Sequence, residues 1–141
     1  MNNTHINPYL IFGGRCEEAL AYYRTALGAE VELLMHYKDC PEPMPPGMLP
    51  ADWESKVMHT TFHIGNTTLM ASDGCEAGAN FGCFSLHLSV ATEAEADRAF
   101  AALAAGGEVK MPLTKTFWSP RFGMLKDRFG LGWMISVPAN S

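Results

Sequence analysis

A chain of 141 residues suits one domain with a sizeable core, and a formal net charge of −5 without a basic cluster argues against a nucleic-acid partner. No apolar run approaches the roughly 20 residues that a membrane helix needs, and the opening MNNTHINPYL lacks the basic and apolar regions of a signal peptide. The expected setting is cytoplasmic, and Cys16, Cys40, Cys75 and Cys83, which show no C-x-x-C spacing, read as free thiols of a reducing compartment.

Residues 7–12 (NPYLIF) read as a short strand opened by Pro8, where a missing donor is tolerable. Gly13-Gly14 turns the chain into a helix over about 15–27, with an apolar stripe of Cys16, Ala19, Leu20, Tyr23 and Leu27. Glu17 and Glu18 suit the positive end of that helix, and Gly28 ends it as a C-cap glycine does. A second strand covers 30–37. Residues 38–54 are the least regular stretch and hold five of the nine prolines (Pro41, Pro43, Pro45, Pro46 and Pro50) beside Met44, Met48, Leu49 and Trp53. Prolines forbid a regular ladder there, so the stretch is either a connecting loop packed on the surface or a lid over a cavity.

Residues 56–73 alternate apolar and polar side chains around Gly65-Asn66, the signature of a hairpin. Met58, Thr60, Phe62 and Ile64 share one face, and Val57, His59, Thr61 and His63 the other. On the returning strand Leu69 and Ala71 lie on one side, Thr68, Met70 and Ser72 on the other. A face of His, Thr, Ser and Met is too polar for a sealed core and too apolar for an ordinary wet surface. It reads as the wall of a cavity.

A Gly-rich link over 74–82 leads to a third alternating run, 83–90, with Leu86, Leu88 and Val90 opposite Ser85, His87 and Ser89. Thr92 begins a helix over about 93–105, with Glu95 spaced as a capping box requires and a stripe of Ala96, Ala99, Phe100 and Leu103. Short strands follow at 108–111 and 121–126. Asp127-Arg128-Phe129-Gly130 then turns into a last strand, 132–137. The order strand, helix, three strands is thus written twice. Gly28-Ala29-Glu30-Val31 falls on Gly106-Gly107-Glu108-Val109 at an offset of 78 residues.

The expected fold is α+β: a single domain over 1–141 whose two βαβββ modules, about 5–73 and 83–138, form a curved mixed sheet around a cleft. Helices cover the apolar faces. Turned inward by that rule are Asn7, Tyr9, Ile11, His59, Thr61, His63, Thr68, Met70, Ser72, Ser85, His87, Ser89, Met134 and Ser136.

In Asn7-Pro8-Tyr9-Leu10, Glu18-Ala19 with Tyr22-Tyr23, Val57-Met58-His59 and Met70-Ala71-Ser72-Asp73, the chain resembles the vicinal oxygen chelate superfamily of glyoxalases, bleomycin-resistance proteins and extradiol dioxygenases. Thr116-Phe117-Trp118, Arg121-Phe122-Gly123, Asp127-Arg128-Phe129-Gly130 and Trp133-Met134-Ile135 continue the likeness, which is nearest to the PhnB-like (3-demethylubiquinone methyltransferase-like) subgroup. It covers essentially the whole chain, though the proline-rich loop contributes little. The resemblance implies paired βαβββ modules, a small-molecule ligand and a homodimer. In metal-dependent members, four ligands, usually His and Glu, come from the first and last strands of each module.

Those positions fall here near Asn7 or Pro8, and at Met70, Ser85 and Met134. None is a histidine or a carboxylate, and thioethers are poor ligands for the divalent ions that the superfamily uses. His59 and His63 stand four residues apart on one strand, so their backbones are separated by roughly 13 Å, too far for two nitrogens to meet one zinc ion at about 2.1 Å each. No metal and no other cofactor is expected. Methyl transfer is not carried over either, because Gly13-Gly14 lacks the G-x-G pattern and the parallel α/β layout of typical cofactor-binding methyltransferases.

Two functional readings result. The first is a metal-independent small-molecule binding protein, with Tyr9, His59, Thr61, His63, Ser85, His87 and Trp118 as ligand-binding residues; drug sequestration is a special case of it. The alternative is a lyase or isomerase-like enzyme in which a cleft histidine, His59 or His87, acts as general base, since imidazole titrates near neutral pH. The sequence assigns no catalytic residue more firmly than that.

Overall fold

A computed structural model of the chain describes residues 5–41, 47–82 and 84–139. Pro43, Met44, Pro45, Pro46 and Cys83 lie outside the described residues. The elements are β1 (Tyr9–Ile11), α1 (Cys16–Leu27), β2 (Glu30–His36), a 3-10 turn (Tyr37–Asp39), β3 (Val57–Ile64) and β4 (Thr67–Ser72), then β5 (Ser85–Ser89), α2 (Glu93–Ala104), β6 (Glu108–Thr114), β7 (Arg121–Lys126) and β8 (Gly132–Val137). The chain divides into two compact units, 1–79 and 80–141. Each is a βαβββ module with its own four-stranded mixed sheet, in the orders β1-β4-β3-β2 and β5-β8-β7-β6. In both, the first strand runs parallel to its neighbour and the remaining pairs are antiparallel.

In the first unit α1 buries Cys16, Ala19, Leu20 and Tyr23, the stripe read from the sequence. The sheet supplies buried Leu10, Phe12, Thr60, Phe62, Leu69 and Ala71, and the rings of Phe12 and Tyr23 sit 6.2 Å apart. Gly28 ends the helix at φ 70°, a left-handed C-cap that costs glycine nothing. At the other end Arg15 contributes no side-chain cap. Asp73, 1% exposed, serves instead from the far end of β4. Its Oδ1 accepts from the amides of Gly14 and Cys16 at 2.8 Å each, and its Oδ2 from Val57 N at 2.8 Å. One buried carboxylate therefore joins the β1–α1 turn, the helix start and the start of β3.

The second unit repeats the plan. Ala96, Ala99, Phe100 and Leu103 of α2 are buried, as are Leu125, Trp133, Ile135 and Val137 of its sheet. Thr92 Oγ1 accepts from Glu95 N at 3.1 Å, while the Glu95 carboxylate reaches back to Ala91 N (3.3 Å) rather than to Thr92, a capping box shifted by one amide. Gly123 in β7 leaves room for Phe100, whose Cε2 would stand 2.8 Å from any added Cβ. Asp127 closes the β7–β8 turn, its Oδ1 accepting from Phe129 N and Leu131 N and its Oδ2 from Trp133 Nε1.

Local boundaries differ from the sequence reading at several element ends, among them β5, which covers Ser85–Ser89 rather than 83–90. β1 is only three residues long, and Tyr37 belongs to a 3-10 turn rather than to β2. β6 runs past Met111 to Thr114, through Pro112. A proline fits there because β6 is the sheet edge and its register with β7 shifts between Met111 and Thr114.

Candidate functional site

Each sheet has one face under its helix and one face left open by it. On the open face of the first unit, backbone register aligns Tyr9, Met70, Thr61 and Leu33 across four strands. His59 follows on the same face, its ring 5.8 Å from that of Tyr9. The Tyr9 hydroxyl lies 3.3 Å from His59 Nδ1, and Thr61 Oγ1 lies 3.3 Å from His59 Nε2. His63 belongs to a second network, with Thr68 Oγ1 3.1 Å from its Nδ1 and Glu32 Oε2 2.7 Å from its Nε2. The Asn7 side-chain amide donates to the Thr68 carbonyl at 3.0 Å and fixes the start of β4. The four residues expected here from alternation, Tyr9, His59, Thr61 and His63, thus share one face, but His59 and His63 share no partner.

Sequence reasoning missed Glu32, Leu33 and Met35 on that face. β2 carries register shifts between Val31 and Leu33 and between Met35 and His36, and a bulge turns two successive side chains to the same side, which plain alternation cannot express. Leu33 is 47% exposed. His36 turns the other way, to Glu17 Oε1 on α1 at 2.7 Å.

One end of β1 abuts the proline-rich segment. Trp53 is 6% exposed and its indole N–H donates to the Gly74 carbonyl at 2.8 Å, as does the Tyr37 hydroxyl at 2.8 Å. Lys56 Nζ donates to the Gly14 carbonyl at 2.9 Å and lies over the Trp53 ring. The later part of the segment is therefore fastened to the first unit beside the start of α1. Burial, then the hydrogen bond to Cys75, push the Tyr37 hydroxyl up to about 12. Burial, then the Asp73 carboxylate, also raise the Cys16 thiol, which stays protonated and apolar in character.

The second unit's open face is softer. Register places His87, Met134, Met124 and Met111 in one row, and Ser89, Ser136, Phe122 and Thr114 in the next. His87 Nε2 lies 2.8 Å from Ser136 Oγ. Trp118, half exposed in the β6–β7 connection, meets Phe122 edge-on at 5.4 Å and Phe117 at 4.7 Å. Ser85 sits at the start of β5 opposite Gly132. Of the residues expected here, His87 and Trp118 thus flank a wall of methionine and phenylalanine. Met111, Met124 and Phe122 were absent from the expected set because the face of β6 and β7 was not assigned.

Four metal ligands at the first and last strands would have to come from Asn7 or Pro8 and Met70 in one unit, and from Ser85 and Met134 in the other. An amide, a hydroxyl and two thioethers do not fit a divalent hard or borderline ion. Among the described residues no group of three or more His, Cys, Asp or Glu side chains is placed to hold one. At the start of the first helix, Asp73 already occupies the amides of Gly14 and Cys16.

Comparison with known proteins places this arrangement. The model of the family described as 3-demethylubiquinone-9 3-methyltransferase matches residues 4–136. Protein YjdN of Escherichia coli (strain K12) is 36% identical over 140 residues, with 94% of each chain covered. Protein PA1353 from Pseudomonas aeruginosa is 42% identical and similar in structure at a TM-score of 0.84, covering 98% of this chain and 100% of that one. The PhnB protein from Bacillus cereus is 28% identical with a TM-score of 0.78, over 95% and 99% of the two chains. The fosfomycin resistance protein FosX from Listeria monocytogenes, 12% identical with a TM-score of 0.67 over 99% and 96%, shares the fold alone.

Proposed function

Because the chain belongs to the PhnB-like, 3-demethylubiquinone-9 3-methyltransferase family and has the paired βαβββ fold of the vicinal oxygen chelate proteins, we propose that it is a metal-independent small-molecule binding protein. The observation that carries this reading is the open face of the first unit, where Tyr9, His59 and Thr61 bond one another beside Met70 and Leu33. Hydroxyls and imidazole set among thioether and aliphatic surface make a wall that takes an apolar ligand and orients it through a few polar contacts. The second unit offers His87, Ser85 and Trp118 in the same manner, with Met134 and Phe122 as the apolar part.

Methyl transfer finds no support in these residues. A nucleoside cofactor is held on free amides at a helix start in a parallel sheet, whereas here the sheets are mixed and Asp73 occupies the amides of Gly14 and Cys16. The protein works in this reading as a cytoplasmic homodimer. No helix among the described residues is long and apolar enough to cross a membrane.

A thermal-shift screen against a library of metabolites and antibiotics, run with and without EDTA, tests the proposal. A binder is expected whose shift survives the chelator, falls at least tenfold in apparent affinity (about 1.4 kcal/mol) in His59→Leu, and is weakened in Trp118→Ala. One equivalent of a transition metal in untagged protein, or a binder lost to EDTA, would sink it.

A further inference from the structure

Among the three open-face histidines, His63 has a carboxylate partner, Glu32 Oε2 at 2.7 Å from its Nε2. That contact fixes its chemistry. An ionised carboxylate only accepts, so Nε2 carries the proton and Nδ1 of the neutral ring is the acceptor. The group 3.1 Å from Nδ1 is the Thr68 hydroxyl, which must therefore be the donor. His59 lies between the hydroxyls of Tyr9 and Thr61, and His87 beside that of Ser136. Hydroxyls donate or accept, so neither of those rings has its tautomer set by its partners.

We propose that Thr68, His63 and Glu32 form a hydroxyl–imidazole–carboxylate triad that accepts an acyl group from an activated ester, an activity beyond ligand binding. The three side chains come together for local reasons. His63 and Thr68 are cross-strand partners beside the β3–β4 turn, and the bulge in β2 brings Glu32 onto the same face. Asn7 holds the Thr68 backbone. Side-chain exposures of 37% for His63 and 61% for Glu32 leave the group open to an ester from solution.

In the reaction, Thr68 Oγ1 attacks the ester carbonyl while its proton passes to His63 Nδ1, and Glu32 stabilises the resulting imidazolium. The tetrahedral adduct collapses by breaking the bond to the leaving oxygen. That oxygen departs as the alcohol with the proton from Nδ1, and the acyl group stays on Thr68. Water entering by the same route frees the acid and restores the hydroxyl.

The probe is p-nitrophenyl acetate, applied in a Cys75→Ser background that removes an exposed thiol. One acetyl group per chain is expected on the peptide holding Thr68. Thr68→Val and His63→Gln should slow nitrophenolate release about 100-fold. Thr68→Ser should restore labelling, and Glu32→Gln should slow it about tenfold, a loss that Glu32→Asp should partly restore. Circular dichroism verifies that each variant is folded. Acetyl groups on lysines with none on Thr68, or a folded Thr68→Val that reacts as fast as its parent, would overturn the triad while leaving the binding proposal untouched.

Discussion

Asp73 and Tyr37 are residues whose weight lies in what they touch. Asp73 is buried and accepts three backbone hydrogen bonds at 2.8 Å, so removing it leaves three donors without a partner at the junction of β1, α1 and β3. At about 1–3 kcal/mol for each buried donor left unmade, Asp73→Ala should destabilise by at least about 3 kcal/mol in urea unfolding. A loss below 1 kcal/mol would mean that water replaces the carboxylate. Tyr37 gives a pH dependence. Its folded value is raised to about 12 from an ordinary 10, so its contribution is fully present below pH 10 and is lost as pH rises through 12. The melting temperature of the parent should accordingly fall across that window, and that of Tyr37→Phe should fall less. Identical slopes for the two proteins would assign the loss to other groups. Neither role was legible in the sequence, because Asp73 acts on amides 57 and 59 residues earlier in the chain, and Tyr37, read there as the end of β2, begins a 3-10 turn and bonds a carbonyl 37 residues away.

At the level of elements, periodicity was a good guide where a strand has one covered face. It sorted the middle of β3, β4 and β8 correctly, with Phe62, Leu69, Trp133 and Ile135 buried, but Val57, Ser72 and Ser136, which it put on the cavity side, are buried as well. It was poorer at edges. Leu88 falls on the helix side as its parity requires, yet it is only half-buried. β2, the opposite edge of the other sheet, bulges at Glu32 and sends Glu32 and Leu33 to one face. The proline-rich segment was ambiguous for another reason. Its anchor is a tryptophan N–H bonded to a carbonyl 21 residues away, and no local pattern encodes that. Gly123 was legible as part of a motif but not as a packing device. Phe100 of α2 fills the space that a Cβ would take, so Gly123→Ala should destabilise by about 1–3 kcal/mol with the far-ultraviolet spectrum unchanged. A neutral result would show that α2 can shift on its sheet.

For the whole molecule, the repeat was the most informative signal. An offset of 78 residues carries β2 (Glu30–His36) onto β6 (Glu108–Thr114), and the two sheets share one strand order. Duplication of that kind makes β2 and β6 equivalent edges, each paired on one side only within its own sheet. Natural edges are bulged, charged or covered, and both bulge here. β2 nonetheless keeps Leu33 and Leu34 exposed. An apolar edge of this type is where a second copy would gain most, since a stable dimer buries roughly 1,200–2,000 Å² in total and its centre is poor in charge. The proposed homodimer should therefore appear in light scattering at micromolar concentration as twice the 15.4 kDa chain mass. Leu34→Glu, on the helix side of β2 and away from the open face, should shift the population toward monomer without loss of fold. A parent protein that scatters as a clean monomer would remove the homodimer. A dimer unaffected by Leu34→Glu would move its interface away from β2.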